Sequence, residues 1–436
     1  MSYAAAIESL FALAGELHSA PGQTRRKFDL EHMRVLAGAL GHPERMFPSV
    51  LIAGTNGKGS TSATLASILH TAGLRTGLYT SPHLVRVNER VKINGRDISD
   101  DDFARLYFYV DDVARKLVTE GRLPNHPSFF ETMTAVAFTA FAEANLDMAV
   151  LEVGMGGRLD ATNIVGPLVS VITDISLDHT EWLGPTISAI SREKAGILRP
   201  NGVMVTLPQH PEANQVLGEV ATSLNVRGVN AAEYIPSRST AGEYYPLQVM
   251  GETIEIEPPL AGQHQHRNIA LAIATAVELR NHHGYKITPA DIAAGIRNTR
   301  WPGRMERFTS KNGAQVLLDV GHNPAGAWAL RSVLAEMSEQ PRVLIFGCLR
   351  DKAVQEMAQI LFPLFDRIFL TPVDSPRSAS IEDLEAAAIA TGAVYEIMTD
   401  AHAALQRAQE TVPSQGLIVG TGSVYLVGRL RAELTS

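Results

Sequence analysis

Val50-Leu51-Ile52-Ala53-Gly54-Thr55-Asn56-Gly57-Lys58-Gly59-Ser60-Thr61 is the stretch on which the fold class turns. Four apolar residues run without alternation into glycines, which predicts a short parallel strand buried on both faces. Residues 60–72 then carry apolar side chains at Leu65, Ile68, Leu69 and Ala72, the spacing of a helix face. A glycine-rich turn between such a strand and helix is where a phosphate-binding loop forms. Glycines let main-chain N–H groups approach phosphate oxygens, and the helix N-terminus adds partial positive charge. Lys58 is placed to neutralise β- and γ-phosphates, and Ser60 or Thr61 to bring a hydroxyl near Mg²⁺. The spacing departs from G-x-x-x-x-G-K-[ST]: Gly54 and Gly57 are closer together, and Gly59 intervenes before Ser60. A purely structural glycine turn is the bland alternative. The strand before, the lysine within and the helix after favour phosphate.

Outward from this loop, residues 1–47 read as two amphipathic helices separated by the turn Pro21-Gly22. On the other side, residues 76–80 read as a strand and residues 81–98 break the pattern. Ser99 reads as an N-cap, with Asp100, Asp101 and Asp102 in the first turn of a helix to about Glu120. A second helix is expected over 130–144, strands over 148–153, 169–173 and 203–206, a hairpin at Gly251 and an alanine-rich helix over 265–280. Near Arg300 the character resets. Five strand candidates, 316–319, 343–346, 367–370, 393–397 and 417–419, alternate with helices. The segment NTRWPGRMER (298–307), with its Pro-Gly break, reads as a linker. At roughly 150 residues per domain, 436 residues suggest about three domains, but the pattern resets only once. The expectation is therefore an α/β protein of two parts. Residues 1–298 would form a large P-loop ATPase domain with a mostly parallel sheet, and residues 299–436 a smaller Rossmann-like α/β domain.

Composition narrows the function. With 45% hydrophobic and 19% charged residues the chain can build full cores. A net charge of -8 gives no basic excess for nucleic acid or an anionic membrane. The apolar run 132–151 is interrupted by Glu143, Asn145 and Asp147, so it does not read as a membrane span. The N-terminus carries Glu8 and Glu16 and no basic n-region, so no signal peptide is read. Cys348 is the only cysteine, which excludes an internal disulfide framework and a multi-thiolate metal site. A soluble cytoplasmic protein is expected.

Four further positions cluster at the ends of predicted strands. Glu152 opens Gly154-Met155-Gly156-Gly157-Arg158, where a carboxylate at a parallel strand's carboxyl end can reach a bound ion. Asp178-His179 follows the next strand, Ser81 follows Thr80, and Lys194 sits in REKAG (192–196). Each has a plainer reading: Glu152 paired with Arg158, His179 as a loop histidine, Lys194 as a solvated helix charge, Ser81 capping a turn before Pro82. Their shared sheet edge raises the site reading. Oxygen ligands with one histidine suit Mg²⁺. Trp182, Trp301 and Trp328 read as core packing. Arg304, after the Pro-Gly bend, could reach phosphates with its guanidinium.

Together these segments resemble the folylpolyglutamate synthase and dihydrofolate synthase family, within the wider Mur ligase group of ATP-dependent amide-forming enzymes. The resemblance is carried by GTNGKGST (54–61), TSPHLVRVNERV (80–91), FFET (129–132), LEVGMGGRLDATN (151–163), DHTEWLG (178–184), REKAGI (192–197), QHRNIALA (265–272), WPGR (301–304) and DVGHNPAGA (319–327), in the family's order. It implies ATP, Mg²⁺, L-glutamate and a folate or dihydropteroate as reactants. Gly54, Thr55, Asn56, Gly57, Lys58, Gly59, Ser60 and Thr61 would hold the ATP phosphates, with Asn268, Arg304, Asp319 and His322 completing the nucleotide site. Ser81, Glu152 and His179 would help hold Mg²⁺. Lys194 would match the lysine carbamylated in many relatives, which turns a cation into an anionic oxygen ligand. Residues 81–96 would form a mobile loop over the phosphates and pterin. Pro82, Ser128, Phe130, Asp160 and Ala161 match positions resembling the dihydropteroate pocket of bifunctional members, although Ser128-Phe129-Phe130 stands where some of those have Thr-Tyr-Phe.

The implied chemistry activates a carboxylate as an acyl phosphate, which the glutamate amine then attacks. Lys58 and Arg304 would offset charge on the transferring group, Lys58, Lys194 and His322 would be the catalytic residues, and His322 or Asp178 would accept the amine proton. The domains would close to exclude water. Two readings compete. A cell-wall ligase for UDP-sugar peptides would need an extra N-terminal domain, and 53 residues before Gly54 leave too little room for one. A nucleotide-binding module without ligase activity would leave Glu152, His179, Lys194 and the DVGHNP segment unexplained. A monomer with no nucleic-acid or membrane partner is expected.

Overall fold

The computed structural model describes residues 2–13, 29–237 and 244–435, so the Pro21-Gly22 turn lies outside the described residues. The chain divides into two compact units. The first comprises Met1–Ser81, Val87–Glu257 and Arg267–Thr299, and the second Pro82–Arg86, Pro258–His266 and Arg300–Ser436. Two short segments from the N-terminal part of the chain thus belong to the second unit. Leu84 shows the reason for one of them. Its side chain packs against that unit's core, and a Cβ on Gly428 would lie 2.0 Å from its carbonyl oxygen.

In the first unit the strands are β1 (Ser49–Ala53), β2 (Thr76–Tyr79), β3 (Val91–Ile93), β4 (Arg96–Asp97), β5 (Met148–Glu152), β6 (Val169–Ile172), β7 (Val203–Thr206) and β8 (Arg227–Asn230). They form one sheet in the order β4-β3-β2-β5-β1-β6-β7-β8. Pairing is parallel from β2 through β8, while β3 and β4 add antiparallel at one edge. The central strands β1 and β5 are buried at every position, as their unbroken apolar runs predict. β9 (Tyr245–Val249) and β10 (Glu252–Ile256) form the hairpin around Gly251, whose φ is 83°. Helix Asp100–Thr119 starts where expected, with the Ser99 hydroxyl accepting the Asp102 N–H. The run 132–151 resolves into helix Phe129–Glu143 and β5. Among the described residues no helix is long and apolar enough to cross a membrane.

Several elements escaped the sequence pattern. β3 and β4 have three and two residues, too few to show alternation. β8 is a largely exposed edge strand. Helices Ile187–Ala195, Pro211–Ser223 and Pro289–Arg297 also form.

The second unit's sheet holds β11 (Glu306–Thr309), β12 (Gln315–Leu318), β13 (Arg342–Phe346), β14 (Arg367–Leu370), β15 (Tyr395–Ile397) and β16 (Leu417–Thr421), in the order β11-β12-β16-β13-β14-β15. All pairs are parallel except β11 with β12. β11 begins inside the segment read as linker, because its half-exposed residues carry no apolar run. Successive residues feed opposite faces. Leu344, Phe346, Ile368 and Val419 enter one core, and Val343, Ile345, Phe369 and Ile418 the other.

The core-packing expectation fails for two tryptophans. Trp182 is 42% exposed and Trp328 55% exposed. Trp182 rides on the one-turn helix Thr180–Leu183, which buries nothing. Trp328 lies on an outer helix face with the Arg331 guanidinium 5.6 Å over its ring.

Candidate functional site

The sheet order sets β2, β5, β1 and β6 side by side. Their carboxyl ends therefore bring together Ser81, Glu152, the glycine loop after Ala53, and the segment that runs from Thr173 to His179. From β1 the chain builds outward on both sides, the arrangement that opens a ligand crevice at strand carboxyl ends.

Two glycines in the loop have no substitute. Gly54 has φ 154°, and a Cβ there would lie 1.8 Å from Thr173 Oγ1. Gly57 has φ 85°, and a Cβ there would lie 2.1 Å from Asn268 Oδ1. Asn268, which the family resemblance assigns to the nucleotide, thus sits against this loop from the helix Gln263–His283. The following helix begins at Lys58, two positions before the expected start. The N–H groups of Lys58, Gly59 and Ser60 therefore belong to its first turn, where donors lack intrahelical acceptors. Lys58 Nζ donates to the Thr55 carbonyl at 3.2 Å.

The loop also interlocks with the β6 exit. Thr55 Oγ1 donates to the Ser176 carbonyl at 3.0 Å and accepts the Ser176 N–H at 3.1 Å. Asn56 Nδ2 donates to Ser176 Oγ at 3.0 Å. Thr55 N–H and Asn56 N–H both converge on the Asp174 carbonyl, at 2.8 and 3.1 Å.

Lys194 overturns its plainer reading. It is 3% exposed, and its Nζ donates to the Gly54 carbonyl at 2.6 Å. Burial first, then the nearby Lys58 cation, hold its pKa well below the ordinary lysine value. Glu152 is also buried and accepts the Ser81 N–H at 3.1 Å. Its suggested pairing with Arg158 does not form, since Arg158 forks onto Glu193 at 2.9 and 3.1 Å. The contact from Ser81 is through its main chain. His179 adopts a left-handed φ of 50°, and its N–H donates to Asp178 Oδ1 at 2.9 Å. Among the described residues no three His, Cys, Asp or Glu side chains gather as a metal cluster.

Of the residues assigned to the pterin, Ser128, Phe130, Asp160 and Ala161 lie in the first unit. Ser128 and Glu131 form a capping box on helix Phe129–Glu143, with Ser128 Oγ donating to Glu131 Oε2 at 2.7 Å. Phe130 packs 6.2 Å from the Tyr79 ring, and its ring would meet a Cβ on Gly154 at 2.6 Å. Asp160 is buried and holds the glycine turn, accepting Met155 N–H at 3.1 Å and Thr162 N–H at 3.0 Å. Burial raises its pKa, with the hydrogen bond from Thr162 the first of the opposing contributions. Ala161 is buried beside it, whereas Pro82 falls in the second unit.

Arg90 was not singled out by sequence reasoning. It is 7% exposed, with its guanidinium 5.0 Å over the Phe129 ring. Burial raises the Tyr79 phenol pKa and the charge on Arg90 opposes that. A buried arginine in the NERV motif was the available signal.

In the second unit three assigned residues converge. Asp319 accepts Met305 N–H at 3.1 Å and Gly321 N–H at 2.8 Å. Val320 N–H donates to the Gly303 carbonyl at 2.9 Å. These bonds pin the turn bearing Arg304 beside the end of β12. His322 Nδ1 lies 3.0 Å from the Val320 carbonyl.

Comparison with known proteins adds relatives across the whole chain. The Mur ligase middle domain matches residues 52–276, and the Mur ligase, glutamate ligase domain matches residues 303–424. A dihydrofolate synthase/folylpolyglutamate synthase from Bacillus subtilis is 34% identical over 413 residues, covering 93% of this chain and 94% of its own. The folylpolyglutamate synthase of Mycobacterium tuberculosis complexed with ADP superposes with a TM-score of 0.88 at 34% identity, covering 99% of each chain. The Escherichia coli FolC structure in complex with DHPP and ADP gives a TM-score of 0.84 at 30% identity, covering 99% of this chain and 97% of that one.

Proposed function

Because this chain belongs to the folylpolyglutamate and dihydrofolate synthase family of the Mur ligases, we propose that it joins L-glutamate to folates, and to dihydropteroate as well, using ATP. The observation that carries the proposal is the buried Lys194 bonded to the Gly54 carbonyl, at the strand edge that also holds Glu152 and Ser81. A structural glycine turn would not require a buried lysine and a buried carboxylate at its rim.

A carboxylate is a poor electrophile at neutral pH. In the proposed first step a carboxylate oxygen of the folate or pteroate attacks the γ-phosphorus and ADP leaves, giving an acyl phosphate. The loop amides and Lys58 bind and orient the triphosphate, and positioning dominates such a transfer. The neutral glutamate nitrogen then attacks the acyl carbon, phosphate departs, and the nitrogen loses its proton. His322 or Asp178 is proposed to accept it. Arg304, Asp319 and Asn268 are assigned to the nucleotide, and Pro82, Ser128, Phe130, Asp160 and Ala161 to the pterin or its surroundings.

The donor set fits Mg²⁺. Glu152 offers a carboxylate, His179 an imidazole, and Ser81, Ser60 and Thr61 hydroxyls. Thr61 Oγ1 is buried without a hydrogen-bond partner among the described residues. Few protein ligands are expected, because Mg²⁺ is commonly shared between one or two carboxylates, waters and substrate phosphates. When bound, the ion would neutralise charge on the phosphates. A carbamate on Lys194 would add an oxygen ligand, and the depressed pKa of that lysine favours the neutral amine such a reaction needs.

Lys58→Ala and Glu152→Ala should each abolish glutamate-dependent ADP formation while leaving the circular dichroism spectrum unchanged. Near wild-type turnover in either variant would overturn the site assignment.

A further inference from the structure

Neighbouring residues on one helix reach both ends of the phosphate loop. Asn268 lies under Gly57, as described above. Arg267 reaches the other end through an intermediary. Its Nε lies 2.9 and 3.1 Å from the two Asp174 carboxylate oxygens, its Nη2 lies 2.5 Å from Oδ1, and the same Nη2 donates to the Pro208 carbonyl at 3.0 Å. Asp174 is the residue whose carbonyl receives both Thr55 N–H and Asn56 N–H, and it forms an isolated antiparallel bridge with Asn56. A second support acts beside it: Gln209 accepts the Ile175 N–H at 3.0 Å and donates to the Thr173 carbonyl at 3.0 Å. The Thr173–Ser176 strap is therefore fixed by side chains on its outer side and fixes the phosphate loop on its inner side. It continues directly into Asp178 and His179.

We propose that Arg267 is a positioning residue for nucleotide binding, which grips Asp174 so that the Thr55–Asn56 part of the phosphate loop is held in one geometry. This role rests on the ATP-site reading above. A guanidinium suits it because its planar fork fixes the direction of a carboxylate as well as its distance, which an ammonium does not. Arg267 needs no contact with the nucleotide, since it acts through the Asp174 main chain. The pair is partly solvated, with side chains 31% and 38% exposed. The expected effect is accordingly moderate, an ATP KM raised about three- to tenfold.

The test measures ADP affinity by calorimetry and steady-state kinetics for wild type, Arg267→Lys, Arg267→Gln, Asp174→Asn and the charge swap Arg267→Asp with Asp174→Arg. The role predicts weaker ADP binding and a raised ATP KM in the single variants, with kcat and glutamate KM within twofold. It also predicts partial recovery of nucleotide affinity in the swap, and thermal midpoints close to wild type throughout. Unchanged ADP affinity in the single variants overturns the positioning role while leaving the ATP site intact. A kcat loss that tracks a lowered thermal midpoint, with no KM change, overturns it in favour of a merely structural pair. Absence of ADP binding by the wild-type chain overturns the site reading itself, and this role with it.

Discussion

Lys194 places its amine where a hydrated cation would be costly, against the Gly54 carbonyl and near Lys58. The sign of the consequence follows from linkage. In the unfolded chain this lysine titrates near its ordinary value, whereas in the fold its pKa is depressed. Below the folded value both states are protonated and the burial penalty is full. Between the two values the unfolded state binds more protons, so stability rises with pH until the unfolded lysine also deprotonates. Lys194→Met should flatten that rise, as read by urea midpoints taken at intervals from neutral to alkaline pH. An unaltered slope in the variant would show that Lys194 carries no such penalty. At this scale the sequence was partly legible. Lys58, Glu152 and Ser81 could be picked because they lie at or shortly after the carboxyl ends of strands, and Lys194 because it sits in the REKAGI segment that carries the family resemblance. That Lys194 would be buried was not visible, since a lysine near a helix end reads as solvated until the fold supplies the loop above it. Arg90 and Arg267 were passed over for a related reason. Their partners, Phe129 and Asp174, are distant in the chain.

Elements decide what the glycine loop and the pterin-side helix can do. Helix Phe129–Glu143 depends at its start on Ser128, whose hydroxyl accepts the Glu131 N–H at 3.3 Å. Losing this cap should cost about 1 kcal/mol. Ser128→Ala is therefore expected to lower the urea midpoint, and Ser128→Thr to restore most of it. An alanine variant as stable as wild type would mean the box is not holding the helix. The strong elements were readable in advance because their signals are local: the unbroken apolar run of β1, the Ser99 cap, the alternating strands after Arg300. The short β3 and β4, the exposed β8 and the weakly apolar β11 are fixed by pairing with neighbours that local pattern does not contain. Exposed Trp182 and Trp328 make the same point in reverse. A large aromatic ring predicts burial on average, yet the elements carrying these two turn them outward.

For the molecule as a whole, one reset of pattern pointed to two parts, and the structure divides into two units whose membership is less simple than a single cut. Pro82–Arg86 and Pro258–His266 join the second unit because of what they pack against, as Leu84 does with Gly428. Sequence order alone gives no access to that. The net charge of -8 also acts at this scale. It provides no long-range attraction for ATP or folate, both anionic, so affinity must come from locally placed groups such as Lys58 and the helix amides. The central claim is that these groups serve a glutamate-adding ligase. The most direct measurement is ADP release in the presence of ATP and Mg²⁺, with and without L-glutamate, run in parallel on dihydropteroate and on a reduced folate. The proposed function predicts glutamate-dependent release with both acceptors and a product heavier by one glutamyl residue. ATP binding without glutamate-dependent release on either acceptor would contradict it.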